Sequence, residues 1–161
     1  MRAVVDIETD AINATKIHCI VARRADTGET RHWIGDQCRE FGEWSKKIDT
    51  FIMHNGISFD APLLNKFTGS DIKVNQIDDT LIKSQLYNPI RDDGHSLEAW
   101  GNFLGHKKGD YHDFATFNED MLKYCYTDTQ LTREVSAYLQ VEGEKFSEES
   151  YDLERKVRSI V

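Results

Sequence analysis

Val4-Val5-Asp6-Ile7-Glu8-Thr9-Asp10 reads as a short β-strand that ends in acid. Val4 and Val5 have the β-branched character of a buried strand. Asp6 and Glu8 then follow on alternate positions, and side chains two apart on a strand point to one face. Two ionised carboxylates placed side by side repel, and their ionisation is disfavoured unless a cation sits between them. A polar strand end with two solvated acids would read the same way, so the pair alone does not define a site.

Two further acids change the weight of the first two. Phe51-Ile52-Met53 is a short apolar run, followed by His54-Asn55-Gly56-Ile57-Ser58-Phe59-Asp60 and then Ala61-Pro62-Leu63-Leu64. This is a strand, a glycine-containing turn and a helix start. A carboxylate at Asp60 is favoured there by the helix dipole and the free N–H groups, whatever else it does. Asp128 lies in a helical pattern from Phe117 to Leu139, whose apolar face is Met121, Leu122, Cys125, Leu131, Val135 and Leu139. Tyr124 and Asp128 are four apart and share one face of that helix, which by itself is commonplace.

In chain order these elements are Asp6-x-Glu8, Asn55-x3-Phe59-Asp60 and Tyr124-x3-Asp128. The sequence resembles the 3′→5′ exonuclease domain of family A DNA polymerases, in the four-acid branch with a tyrosine in the last motif. Within that family it looks most like the polymerases of short-tailed lytic bacteriophages. Asp79-Thr80-Leu81 supports the narrower likeness, as does His95-Ser96-Leu97-Glu98-Ala99-Trp100-Gly101 with Leu104-Gly105 and Gly109-Asp110-Tyr111. Phe117-Asn118-Glu119-Asp120-Met121 then leads into the final motif.

The resemblance implies a ribonuclease-H-like fold, a mixed five-stranded sheet flanked by helices, and a site for two divalent cations. Oxygen-rich ligands select Mg2+ or Mn2+ over zinc. By resemblance, Asp6 bridges both ions, Glu8 and Asp128 complete one ion site, and Asp60 holds the second ion through water. Tyr124 orients the attacking water; its ordinary pKa of about 10 makes it a poor general base. Thr9 and Ile12 flank the terminal nucleotide, with isoleucine standing where the family has leucine. Phe59 stacks near a base or packs the helix start, and Asn55 contacts nucleic acid or braces its loop.

Composition is compatible with this reading. The chain of 161 residues has room for one domain with a sizeable core. No stretch approaches the ~20 apolar residues of a membrane span. Cys19, Cys38 and Cys125 are scattered and odd in number, which reads as reduced thiols in a cytoplasmic setting without a zinc site, and the resemblance implies a bacterial or phage-infected cell. The net charge of −8 is unlike that of a protein gripping long duplex DNA. An exonuclease engages only a few nucleotides at one strand end, and bound cations supply local positive charge. Lys46-Lys47 and His106-Lys107-Lys108 are basic runs that suit either phosphate contact or a solvated surface.

The pattern predicts strands at 3–8, about 17–23 and about 30–34, with a hairpin turn at Asp26-Thr27-Gly28. A helix near 39–48, a strand at 51–53, a helix at 60–68 and a short strand at 74–77 follow. Helices are then expected at about 79–87, 96–104, 118–141 and 148–160, and mobile loops at 88–94 and 105–115. Residues 1–143 read as the exonuclease domain. Residues 144–161 read as a C-terminal helix resembling the start of a polymerase domain, its stripe of Leu153, Val157 and Ile160 facing a polymerase domain or subunit or a second copy.

The function expected is metal-dependent 3′→5′ hydrolysis of single-stranded DNA ends to deoxynucleoside 5′-monophosphates, in proofreading for a phage-type polymerase. The alternatives are an RNA-trimming enzyme of the ribonuclease D type and a non-catalytic domain that docks DNA or a polymerase.

Overall fold

The acid-ended stretch folds as β1 (Arg2–Thr9), the middle strand of a five-stranded sheet. The structure is a computed structural model that describes residues 1–106 and 111–160. β2 (Ile17–Arg24) and β3 (Thr30–Ile34) continue from β1 as an antiparallel meander. β4 (Thr50–Met53) pairs in parallel on the other side of β1, and β5 (Ile77–Asp79) pairs in parallel with β4. The spatial order is β3-β2-β1-β4-β5, the mixed sheet that the sequence implies.

Alternation along β1 divides the core in two. Ala3, Val5 and Ile7 face a large cluster that includes Trp33, Phe41, Phe51, Met53 and Leu64. On the other face lie Cys19 and Val21 of β2 with Met121, Leu122 and Cys125 of α5 (Glu119–Glu142). Each large side chain buried in this way contributes about 1.5–3 kcal/mol. Helix α5 lies across β1 and β2. It starts where Asn118 caps it, accepting the Met121 N–H at 2.9 Å.

The remaining helices are α1 (Phe41–Trp44), α2 (Asp60–Thr68), α3 (Thr80–Tyr87), α4 (Leu97–Leu104) and α6 (Glu148–Ile160). Ser96 caps α4 by accepting the Ala99 N–H, and left-handed Gly69 and Gly105 end α2 and α4. The predicted hairpin turn is present, with Gly28 at a φ of 78°.

Two expected elements are different in the structure. The helix near 39–48 is broken into 3-10 turns at Gly35–Glu40 and Ser45–Lys47 around the four-residue α1. There, Trp33, Phe41 and Trp44 pack edge-on against one another, and Ser45 Oγ donates to the Gly42 carbonyl at 2.7 Å. That bond competes with continued helix. The strand at 74–77 is a 3-10 turn over Val74–Gln76, and β5 starts only at Ile77. Gln76 closes the turn, its side chain accepting the Lys73 N–H and its own N–H donating to the Lys73 carbonyl.

Segment 88–94 is anchored by Arg91, which pairs with Glu142, donates to Ser84 and lies 4.5 Å over the Trp100 ring. The expectations placed on Lys107-Lys108 and Gly109-Asp110 lie outside the described residues. In α6, Tyr151 is buried against the sheet, whereas Leu153, Val157 and Ile160 are exposed. Among the described residues, no helix is long and apolar enough to cross a membrane.

Gly42 is the tightest backbone contact between α1 and α2: a Cβ there would lie 2.1 Å from the Thr68 carbonyl oxygen. Gly42→Ala must push backbone against backbone, so it is expected to cost about 2 kcal/mol or more. Chemical denaturation of the two proteins measures this directly.

Candidate active site

The two acids of β1 sit on its α5-covered face. Asp6 pairs with Val21 and Glu8 with Cys19 across the β1–β2 ladder, and the register shifts between Glu8 and Thr9. Such a bulge ends regular pairing and re-aims the chain. Asp6 is half-buried and Glu8 is buried. Beneath them, the Cys125 thiol donates to Asp6 Oδ2 at 3.2 Å. Ligand atoms of Asp6, Glu8 and Cys125 lie within 4.8 Å of one another. Burial holds the Cys125 thiol well above its ordinary pKa, so it stays protonated and acts as a donor to Asp6.

Asp60 arrives from the next element. After β4 the chain makes a tight turn in which Asn55 takes a left-handed φ of 65°. Phe59 N–H then donates to the Asn55 carbonyl at 3.1 Å and Ala61 N–H to the Gly56 carbonyl at 2.9 Å. Asp60 is the first residue of α2 and is buried. Its carboxylate receives a backbone hydrogen bond from Ile7 of β1, which brings it beside the strand acids. Asp128 is buried on α5, three residues beyond Cys125. Tyr124, one turn before Asp128, stacks among Tyr111 and Phe114 with ring centroids 5.9 and 6.2 Å away.

The four acids interact electrostatically. Burial pushes the Glu8 carboxyl far above the usual carboxylate range, and Asp6, Asp128, Cys19 and Asp60 add to it. Asp60 is raised by burial and by Asp79, while the Ile7 hydrogen bond pulls it partly back. Such a concentration of buried oxygen donors is chemically matched to hard divalent cations, which would relieve the repulsion. Asp6, Glu8, Asp60 and Asp128 would hold them.

A hollow of about 290 Å3 opens beside Glu8, lined by Thr9, Ile12, Phe59 and Phe114 among others. Ile12 is 88% exposed, on a loop tied by Asp10, whose carboxylate accepts the N–H groups of Thr15 and Lys16. Phe59, half-buried, packs against the main core from the foot of α2. Asn55 holds its turn through backbone bonds: its N–H donates to Asp79 Oδ1 at 3.0 Å.

The five-stranded mixed sheet and its flanking helices have the ribonuclease-H-like fold. No protein-family profile matches the chain. In sequence it is 24% identical over 178 residues to the DNA-directed DNA polymerase of Escherichia phage T7, an alignment covering 80% of this chain and 25% of that protein. The chain thus spans about a quarter of the length of the phage polymerase it matches. Among solved structures it is similar to Brucella melitensis NrnC with bound Mg2+, at a TM-score of 0.70 and 18% identity, covering 97% of this chain and 79% of that one. It is also similar to the family B DNA polymerase from the archaeon Pyrobaculum calidifontis, at a TM-score of 0.65 and 14% identity, over 86% of this chain and 24% of that one. The resemblance read from the motifs therefore has a phage polymerase relative in sequence and polymerases and NrnC in fold.

The sequence reading missed three residues of this region. Phe114 lies in an aperiodic stretch, and its carbonyl is held by the His18 ring at 2.8 Å. Cys125 read as one more apolar position of α5. Asp79 read as part of a motif without a role; it is 1% exposed and accepts from Asn55, Ile57 and Leu81. The sequence signals for them were the spacing of Cys125 from Asp128 and the place of Asp79 in Asp79-Thr80-Leu81; Phe114 had none.

A carboxyl whose pKa is higher folded than unfolded gives stability that is present below the unfolded value and lost as pH rises through the folded one. Without divalent cations, stability should therefore fall as pH climbs from about 4, the ordinary carboxylate range, into the alkaline range. Glu8→Gln removes a strongly raised carboxyl. In EDTA it should stabilise the protein by at least about 1.4 kcal/mol at pH 8, the worth of one pKa unit, and by less at pH 5. Paired denaturation curves at the two pH values check the sign.

Proposed function

We propose that this chain is a divalent-cation-dependent 3′→5′ exonuclease that hydrolyses single-stranded DNA ends to deoxynucleoside 5′-monophosphates. The observation that carries this reading is the convergence of four carboxylates, three of them buried, beside an open hollow. Polar groups of one charge are not gathered in a protein interior without a counter-charge, because the desolvation is costly.

Asp6, beside Glu8 on β1, would serve both of two Mg2+ or Mn2+ ions. Glu8 and Asp128 would complete the site of one, and Asp60 that of the other. Two such ions ease the ionisation of water near neutral pH and offset the charge that develops on a departing 3′-oxygen. The protein's own groups do the positioning. Cys125 holds one Asp6 oxygen by hydrogen bond, and Ile7 holds Asp60. Tyr124, fixed among Tyr111 and Phe114, orients the attacking water. Thr9, Ile12, Phe59 and Phe114 flank the terminal nucleotide, with Ile12 as an exposed apolar wedge. Asn55 shapes the turn that delivers Phe59 and Asp60.

The phage polymerase relative supports proofreading for a phage-type polymerase as the biological use. A duplex end must fray to reach a site of this size. Melting three steps at about 1.4 kcal/mol each costs roughly 4 kcal/mol, much of which a mispaired end has already lost. Errors are thereby favoured without any pocket that reads bases. The exposed stripe of Leu153, Val157 and Ile160 on α6 supports a polymerase domain or subunit as its partner, with self-association as the alternative.

A second reading has one observation in its favour. NrnC bound to pGG is similar to this chain at a TM-score of 0.71, over 97% of this chain and 78% of that one, which favours very short oligonucleotides, DNA or RNA, as the competing substrate. Digestion of matched DNA and RNA oligonucleotides, from two residues upwards, separates the two.

Asp6→Ala or Asp128→Ala should abolish release of mononucleotides from labelled single-stranded DNA, as should EDTA on the unaltered protein, with the fold retained by circular dichroism. Wild-type digestion by either variant would end the assignment. Tyr124→Phe leaves all four acids in place and removes one orienting contact. It should slow hydrolysis by ~10- to 1000-fold, and an unchanged rate would make Tyr124 structural.

A further inference from the structure

The Asn55–Asp60 turn is not held by its own backbone bonds alone. Asp79, at the end of β5, accepts the Asn55 and Leu81 N–H groups on Oδ1, each at 3.0 Å, and the Ile57 N–H on Oδ2 at 3.1 Å. Both carboxylate oxygens are therefore committed to backbone, and two of the three donors belong to the turn. Asn55 is the one non-glycine residue at positive φ among the described residues. Gly56 is pressed against Met53, whose side chain would lie 2.3 Å from a Cβ there. The turn is thus held from one side by packing and from the other by a single buried carboxylate.

Asp79 is in turn fixed from the far end of the chain. The Tyr151 hydroxyl of α6 accepts the Asp79 N–H at 2.7 Å and donates to the Ile77 carbonyl at 2.8 Å, and its ring is buried. Arg155, one turn on, lies 5.2 Å over that ring and donates to the Asn75 and Ile77 carbonyls. A continuous series of hydrogen bonds runs from α6 through β5 to the turn that delivers Asp60.

We infer that Tyr151 and Asp79 are positioning residues for the metal site, acting through the Asn55–Ile57 turn to fix Asp60. The C-terminal helix is by this account part of the active-site framework, whatever else docks on its outer face. The inference rests on the proposed binding of divalent cations by Asp60. Asp79 touches neither substrate nor the reacting atoms; it determines where Asp60 stands. Groups that orient metal ligands in this way typically set affinity by 10- to 100-fold.

The test uses the full chain and Mn2+ as the probe, titrated by electron paramagnetic resonance. Tyr151→Phe removes only the hydroxyl; Asp79→Asn replaces one acceptor oxygen by an amide nitrogen that cannot accept and also removes a charge that acts on Asp60, so Tyr151→Phe is the variant that isolates positioning. Gly42→Ala, which strains α2 at its Thr68 end, the end away from Asp60, is the control for mere loss of stability. Tyr151→Phe and Asp79→Asn should weaken Mn2+ binding by about tenfold or more, raise the Mg2+ concentration needed for half-maximal nuclease rate, and recover rate at high Mg2+. Gly42→Ala should bind Mn2+ like the unaltered protein.

Hydrogen exchange in EDTA gives a readout that needs no metal. The Asn55 and Ile57 amides should exchange faster in both variants than in the unaltered chain. Unchanged Mn2+ affinity in both variants, or a loss no larger than that of Gly42→Ala, overturns the inference. If the unaltered protein binds no Mn2+, the metal site itself fails and the inference falls with it. Fast exchange at Asn55 and Ile57 with unchanged Mn2+ affinity would leave the metal site standing and remove the positioning role. Should Asp79→Asn fail to fold, Tyr151→Phe decides alone.

Discussion

Repulsion among carboxylates held on one covered face of β1 is the constraint around which the rest of the protein is arranged. Asp6 and Glu8 cannot turn away from α5, because the pleat sends Val5 and Ile7 to the other side, where the main core needs them. The helix laid over that face brings a further acid, Asp128, and a protonated thiol. The result is an interior that is poorly neutralised by its own residues. Folding energy from the larger cluster, with Trp33, Phe41 and Phe51 fully buried, has to hold this arrangement in place. Burial that would be a defect in a purely structural domain is what would suit the proposed site to hard cations.

The direction of the strands explains why the site is assembled where it is. β1, β4 and β5 run parallel, so their carboxyl ends gather along one rim of the sheet. Glu8 lies at the end of β1, the Asn55 turn follows β4, and Asp79 closes β5. Binding at the carboxyl ends of parallel strands is a general property of open α/β sheets. Here three consecutive parallel neighbours supply a carboxylate pair, a loop and the support of that loop. Helix α5 then adds its acid from above.

Much of this was legible in the sequence because it is written in short-range pattern. Alternation put Asp6 and Glu8 on one face, the four-residue spacing put Tyr124 and Asp128 on one helix side, and an apolar run before a glycine turn announced α2 and Asp60. The elements misread are those decided by tertiary contact. The segment around Phe41 has helical composition, but packing of Trp33, Phe41 and Trp44 breaks it into short turns. Val74 has strand character, but Gln76 folds back on Lys73 and delays β5. Phe114, Cys125 and Asp79 escaped for the same reason. Each owes its part in the site to a residue far away in the chain: His18, Asp6 and Asn55.

Arg155 bears on a different problem, that of the sheet's outer margin. A strand at the end of a sheet presents backbone groups that can recruit another chain, and such margins are a common origin of aggregation. β5 is three residues long, and its carbonyl at Ile77 is occupied by Tyr151 and Arg155 of α6. The neighbouring Asn75 carbonyl is taken by Arg155 as well. The C-terminal helix therefore works as a bumper along that margin. Variants that displace it should be judged by their solubility as well as their chemistry, because the bare β5 rim would offer itself to the next molecule.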